Sequence, residues 1–393
     1  VRSETRTRLL RLLLVVSFGF LLLYPWLYAS YLSTTLTQWL PDTSTAFVIL
    51  AFTVMGLGLN FVVGYAGLLD LGYVAFFAAG AYVAGWLTSE QFANAGSVIV
   101  GGTVLPGTPG IHLNPWLVLL IAAIFAALLG ALIGIPTLRL RGDYLAIVTL
   151  GFGEIIPQFV RNGDSLGGFN LTNGAFGMNG IDGLGFGVAA HRAIHVLPSN
   201  FLNELDSRWY YWTALALVVV TIVTSLLLRD SRIGRAWIAI REDEDAAAAM
   251  GVPLMRTKTL SYTIGAFFGG AAGCLITLQA GSTSPDAFSL QVSIFVLCMV
   301  ILGGIGNVWG VLLGGLILAY VNYQGLFAAG NTFNNTFGTN IDIPEYSYLI
   351  YGVAIVLFML LRPEGLIPSA RRRAELHEED EEEDAVVPEG SAA

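Results

Sequence analysis

Trp116–Leu138 reads WLVLLIAAIFAALLGALIGIPTL, a run without one ionisable side chain. Crossing the hydrocarbon core of a bilayer as a helix takes roughly 20 mostly apolar residues. A chain in lipid must satisfy its own backbone N–H and C=O groups, so such a run spans as a helix. Runs of the same character recur at Ala46–Val63, Leu68–Leu87, Tyr144–Val160, Trp209–Leu228, Leu260–Leu278, Ser293–Val321 and Tyr346–Leu361. Leu12–Leu23 follows Arg2, Arg6, Arg8 and Arg11 like a signal peptide. It runs into Tyr24-Pro25-Trp26 with no small-residue cleavage site and reads as an uncleaved first span. Ser293–Val321 is too long for one crossing, and Gly303-Gly304-Ile305-Gly306-Asn307 interrupts it, so it is divided into two short spans. The fold class is therefore all-α, a polytopic transmembrane helical bundle of about ten spans. Five spans in each half would make the halves an inverted repeat, which the span count alone suggests.

Composition agrees. Of 393 residues, 55% are hydrophobic and 12% charged, about half the roughly 25% charge of a soluble domain. The 46 glycines fall inside the apolar runs as well as between them, a usage suited to close helix contact in lipid. Cys274 and Cys298 lie within apolar runs and read as small core residues. Residues 1–365 form one membrane domain. Residues 366–393 form an acidic tail that concentrates the net charge of −9, with disorder expected from about Glu375 onward.

Arginine placement orients the bundle. With an inside N-terminus, Arg139, Arg141, Arg229, Arg232, Arg235, Arg241, Arg362 and Arg371-Arg372-Arg373 all fall inside, as the positive-inside rule requires. Both termini are then cytoplasmic. The connection Thr88–Pro115 has no basic residue and falls outside. Arg161, Arg192 and Arg208 fall on a long outside connection, where the rule is weak. That connection is rich in Gly and Asn over 162–187, which suits either a docking surface or a solvated link.

The inside connection 229–258 carries the most chemistry. Arg241–Pro253 reads REDEDAAAAMGVP. Acidic residues precede an alanine run, complementing the positive end of a helix dipole. Gly251 is placed for a left-handed C-terminal turn, and Pro253 prevents continuation. This predicts a short helix, either a plain capped connection or a coupling element seated in a groove of a partner. Asp245-Ala246-Ala247-x-x-x-Gly251 resembles the Glu-Ala-Ala-x-x-x-Gly loop of ABC importer permeases, with Asp for Glu. Ile240 through Gly251 and on to Gly269-Gly270-Ala271-Ala272-Gly273 is similar to the LivM-type branched-chain amino acid permeases. So are Gly64–Gly72, Leu138–Ile147, Gly153–Ile156, Ser284-Pro285 and Leu302–Gly306. The sequence departs from that pattern at Asp70, where a small hydroxyl residue is expected, and at Tyr73, where histidine is. The Ile-x-Leu-Pro half of the coupling loop of other importers is absent.

The resemblance implies a permease subunit of an ABC importer. Its partners would be a second, LivH-like permease, two ATPase subunits, an external substrate-binding protein and membrane lipid, with no nucleic acid and no cofactor on this chain. ATP would sit on the partners, since no Gly-x-x-x-x-Gly-Lys-Ser/Thr occurs here. The coupling contact to the ATPases would involve Arg241, Glu242, Glu244, Asp245, Ala246, Ala247 and Gly251. Candidates for the permeation path are Asn60, Glu154, Gly303 and Gly304. Glu154 is an intramembrane carboxylate that either lines the path or pairs with a neighbouring helix; Asn60 also reads as an interhelical hydrogen-bond partner. Gly265, Gly269 and Gly273, and likewise Gly306, Gly310 and Gly314, recur every four residues. Each set reads as a helix-packing face, static or sliding. His191 and His195 lack a third ligand, so no metal site is expected. No protease or hydrolase constellation appears in the spans, which argues against an enzyme. Similar permeases carry urea or short amides, and an ATPase-independent transporter or channel is the rival of a different class.

Overall fold

The computed structural model describes residues 19–28, 39–101, 107–140, 142–165, 167–185, 206–338, 342–362 and 365–367. The arginines at 2–11, Leu12–Phe18 of the first expected span, Arg141, His191, Arg192, His195, the 371–373 arginines and the acidic tail lie outside them. Twelve helices are named here: α1 Thr43–Leu59, α2 Val74–Leu87, α3 Pro115–Thr137, α4 Asp143–Arg161, α5 Ser207–Arg229, α6 Arg232–Glu242, α7 Glu244–Ala249, α8 Leu254–Ala280, α9 Leu290–Gly303, α10 Val308–Tyr320, α11 Leu326–Phe337 and α12 Ser347–Leu361. Helix α1 continues through a π-helical stretch, Asn60–Tyr65, and α10 joins α11 through another, Val321–Gly325. Among the described residues seven helical segments are long and apolar enough to cross a membrane, and two shorter apolar helices accompany them. Residues 19–27 are helical as well.

The long helices start where the sequence supplies a cap. Asn114, Asp206 and Asn307 each accept a hydrogen bond from the backbone N–H two residues on, at the heads of α3, α5 and α10. Helix α1 is apolar all round and correspondingly central, with Phe47, Val54, Met55, Leu57 and Leu59 at or near zero exposure. Helix α8 packs across α2, α3 and α1 through its glycines. Leu120, Leu128 and Leu132 of α3 point outward, where lipid and not water is their solvent.

Two expectations need adjusting. The span drawn over Leu68–Leu87 begins as a helix only at Val74, because residues 66–73 run irregularly through the bundle interior. Gly67 turns the chain with φ +68°. Distant side chains then satisfy part of its backbone, Leu71 donating to Thr149 Oγ1 and Val74, the first residue of α2, to Ser293 Oγ, while Gly72 donates locally to Asp70 Oδ1. Irregular backbone at membrane depth is tolerated where protein surrounds it in this way. The division of Ser293–Val321 is seen as α9 and α10, but α10 runs on through the π turn to Phe337. The connectors on one face also carry short strands: β1 Thr88–Ser89, β2 Ser97–Val100 and β3 Gly110–Leu113 form a sheet ordered β1-β3-β2, and β4 Met178–Asn179 pairs with β5 Ser282–Thr283. Helices α6 and α7 occupy the connector on the opposite face.

Candidate functional site: a docked connector and two interrupted helices

Helix α6 is amphipathic, and its buried side carries Gly234, Trp237 and Ile240. Trp237 is fully buried; its indole N–H donates to Thr257 O at 2.7 Å, and its ring stacks on Tyr65. One turn later Arg241 reaches the same interior, donating from Nη1 to Gly64 O at 2.8 Å. Helix α7 follows after Asp243, whose Oδ1 accepts from Asp245 N and Ala246 N, both at 2.9 Å. Gly251 ends it with φ +83°, the left-handed turn predicted for it. Lys258 near the start of α8 is 1% exposed, and its ammonium pairs with Glu244 Oε1 at 2.7 Å. The α6–α7 connector is thus fastened to the bundle by an indole, a guanidinium and an ion pair.

This fastening sorts the residues expected to contact an ATPase. Glu242, Asp245, Ala246 and Gly251 are exposed. Arg241, Glu244 and Ala247 instead turn inward: the first two hold the connector to the bundle, and Ala247 is 4% exposed. Met250, which the sequence reading passed over, stands at the tip with 86% exposure. Its signal was there in retrospect, as an apolar side chain between the alanine run and the helix-ending glycine.

Of the permeation-path candidates, Asn60, Gly303 and Gly304 are closed inside the bundle. Asn60 is fully buried, and its Oδ1 accepts from Gly306 N at 3.1 Å, bridging the π turn of α1 to the α9–α10 break. Gly303 and Gly304 permit backbone contact; a Cβ on Gly303 would stand 2.4 Å from Gly310 O, and one on Gly365 2.6 Å from Gly304 Cα. Residues 365–367 close over this break, with Leu366 N donating to Leu302 O and Ile367 N to Gly303 O. Glu154 differs. It sits on the outer side of α4 with Ile147 and Ile155. Pro157 lies on the same helix and removes the hydrogen bond to the Gly153 carbonyl.

The glycine sets divide as well. Gly265, Gly269 and Gly273 line one side of α8, where added Cβ atoms would meet Val62 Cγ2 at 2.9 Å, Tyr73 Cζ at 3.1 Å and Phe77 O at 2.0 Å. Gly310 and Gly314 do the same between α10 and α9. Gly306 does not continue that face, because it lies in the break before α10 with φ +82°.

On the opposite face, the strand connectors are pinned by a buried pair. His112 Nδ1 lies 2.8 Å from Asp182 Oδ2, at 1% and 5% side-chain exposure. Burial pushes the Asp182 carboxyl above its ordinary range, with His112 pulling it back. Arg161 and Asp286 form an exposed ion pair at 2.6 Å between the end of α4 and the start of the α9 segment. Among the described residues no cluster of three or more His, Cys, Asp or Glu is arranged to hold a metal.

Interrupted helices enclosed in an apolar bundle, with a structured connector fastened beneath them, define a membrane-embedded transport component. The chain belongs to the family of branched-chain amino acid transport system permease components, which it matches over residues 43–359. It is similar to the high-affinity branched-chain amino acid transport system permease protein LivM of Escherichia coli K12, with 37% identity over 335 residues, 83% of this chain and 69% of that protein. A probable LivM of Methanocaldococcus jannaschii is 27% identical over 334 residues, 81% of this chain and 90% of that one. The permease protein LivH of Salmonella typhimurium shares 29% identity over 169 residues, 43% of this chain and 49% of LivH. No solved structure matches.

Proposed function

We propose that this chain is the LivM-like half of the membrane pathway of an ABC importer for branched-chain amino acids. It would pair with a LivH-like permease, receive cargo from an external binding protein, and be driven by two ATPase subunits that hold the ATP. It lies in the cell membrane as a multi-pass subunit with lipid around its outer helix faces. Its termini and the α6–α7 connector face the cytoplasm; in support, Arg139, Arg229, Arg232, Arg235 and Arg362 share that side of the bundle.

The observation that carries this reading is the α6–α7 connector. It is rigidly held yet offers an outward surface of Asp245, Ala246, Ala248, Ala249 and Met250. Small side chains around one long apolar knob suit insertion into a groove on a partner subunit. Closing of the ATPases around ATP would then push the connector and shift the bundle between inward and outward conformers. Glu154 supports the path. A carboxylate within a span is expensive against lipid, so its side of α4 belongs at the boundary with the second permease, where it can meet a substrate ammonium.

Gly251→Asp and Met250→Glu test the coupling surface. Met250→Glu is expected to reach the membrane folded, because Met250 is exposed. A Cβ on Gly251 has no neighbour within 4 Å, but at φ +83° Asp costs about 1–2 kcal/mol, so Met250→Glu carries the test. Both should lose ATP-dependent leucine uptake and co-purification of the ATPases. Uptake at the wild-type rate by Met250→Glu would refute the coupling role.

A further inference from the structure

The connector touches the bundle in three places, and they are not equivalent. Trp237 and the Lys258–Glu244 pair fasten it to the start of α8, an unbroken helix. Trp237 also stacks on Tyr65 in the π turn of α1, but of the three Arg241 is the one that meets both that turn and the α9–α10 break. Its Nη1 donates to Gly64 O in the π turn of α1, and the same atom would lie 3.0 Å from a Cβ on Gly306 in the α9–α10 break. Its Cγ would lie 2.7 Å from a Cβ on Gly67, where the chain leaves α1. Gly64 and Gly306 are themselves joined through Asn60, whose Oδ1 accepts from Gly306 N. Gly64 has no room for a side chain, as a Cβ there would fall 1.9 Å from Asn60 Oδ1 and 2.9 Å from Gly306 N. Three glycines thus bring the ends of three helical segments around one guanidinium.

Two physical reasons make this junction suited to passing on movement. Helix interruptions lack the regular ladder of backbone bonds and absorb displacement at low cost, whereas intact helices move as rods. A guanidinium at the C-terminal carbonyls of a helix is also held by the negative end of its dipole, and its planar set of donors fixes orientation as well as distance.

We propose that Arg241 is a positioning residue of the transport cycle, linking displacement of the α6–α7 connector to the π turn of α1 and the α9–α10 break. This rests on the importer reading above and adds to it the contact through which coupling passes.

The test uses the intact transporter complex purified from its native membrane and reconstituted in proteoliposomes, reading ATP hydrolysed and leucine taken up in the same vesicles. Arg241→Gln, which withdraws the guanidinium, should leave ATP hydrolysis within about twofold of wild type. It should lower uptake by about tenfold or more, the scale of one lost charge-assisted hydrogen bond. ATP consumed per leucine then rises about fivefold or more. Arg241→Lys should recover part of the uptake, since one donor still reaches toward Gly64 O. Gly306→Ala keeps the arginine but crowds both Nη1 and Gly64 O at φ +82°, and should raise the ratio in the same direction where it assembles. Arg241→Lys, with a ratio between wild type and the loss expected of Arg241→Gln, decides the matter if Arg241→Gln does not assemble. An unchanged ratio in the assembled variants, with hydrolysis and uptake falling together or not at all, would overturn the proposal and leave Arg241 a structural anchor. A wild-type complex that takes up leucine without ATP would overturn the importer reading instead.

Discussion

Lys258 and Glu244 offer the sharpest energetic test of how the connector is held, because their burial is unequal. The ammonium is 1% exposed and the carboxylate 24%. At their 2.7 Å separation the attraction is on the order of 6 kcal/mol at an effective dielectric constant near 20. Desolvation of the lysine cancels most of it. Removing one partner is therefore governed by what the other is left with. Glu244→Ala strands an ammonium with almost no access to water, a loss of about 3 kcal/mol. Lys258→Met fills the same space with an apolar chain and leaves a carboxylate that can rehydrate, a loss of about 1 kcal/mol. The double variant should match Lys258→Met. Thermal unfolding of the purified chain, followed by tryptophan fluorescence, measures the order, since Trp237 donates to Thr257 O beside Lys258. The expected ranking of midpoints is wild type, then Lys258→Met with the double variant, then Glu244→Ala well below. Equal losses from the two single variants, or a greater loss from Lys258→Met, would refute the reasoning.

Gly273→Ala places a Cβ 2.0 Å from Phe77 O, against backbone that has nowhere to go, and should cost at least about 2 kcal/mol. Gly352→Ala has nothing within 4 Å and should raise the unfolding midpoint slightly through helix propensity; the same unfolding assay distinguishes them. Asp182 should make the strand connectors sensitive to acid in an unusual direction. Its carboxyl is raised in the folded state, so the folded chain binds more protons than the unfolded one above the ordinary carboxylate pKa. Its contribution to stability is fully present below that pKa and is lost as pH rises through the elevated one. Asp182→Asn should flatten that part of the pH profile of limited proteolysis in the connectors.

Much of the architecture was legible because lipid removes alternatives. A run such as Trp116–Leu138 has only the helix open to it, and α3 falls within one residue of the expected bounds at each end. The Gly251 turn and the Gly303–Asn307 interruption were readable from glycine placement. The irregular stretch 66–73 was not, since Leu68, Leu69 and Leu71 look helical in isolation. What overrides them is tertiary: Thr149 and Ser293, far along the chain, supply the backbone partners. The same limit applies to the connector. Sequence spacing marked residues 241–251 as one element but does not tell which side chains face outward and which face the bundle. That division depends on Lys258 and Gly64, which lie outside the motif. The isolation of Glu154 on an outer helix side was equally hidden, because span boundaries carry no information on helix rotation.

On the proposed function, this chain moves branched-chain amino acids only with the help of ATP-hydrolysing partners. The direct measurement is leucine uptake into proteoliposomes carrying the complex purified through this chain, with the binding protein and leucine outside and ATP inside or omitted. Uptake that requires ATP and is lost in vesicles prepared in the same way from the Met250→Glu chain is the predicted result. Equal uptake with and without ATP, by a chain that purifies alone, would contradict the account.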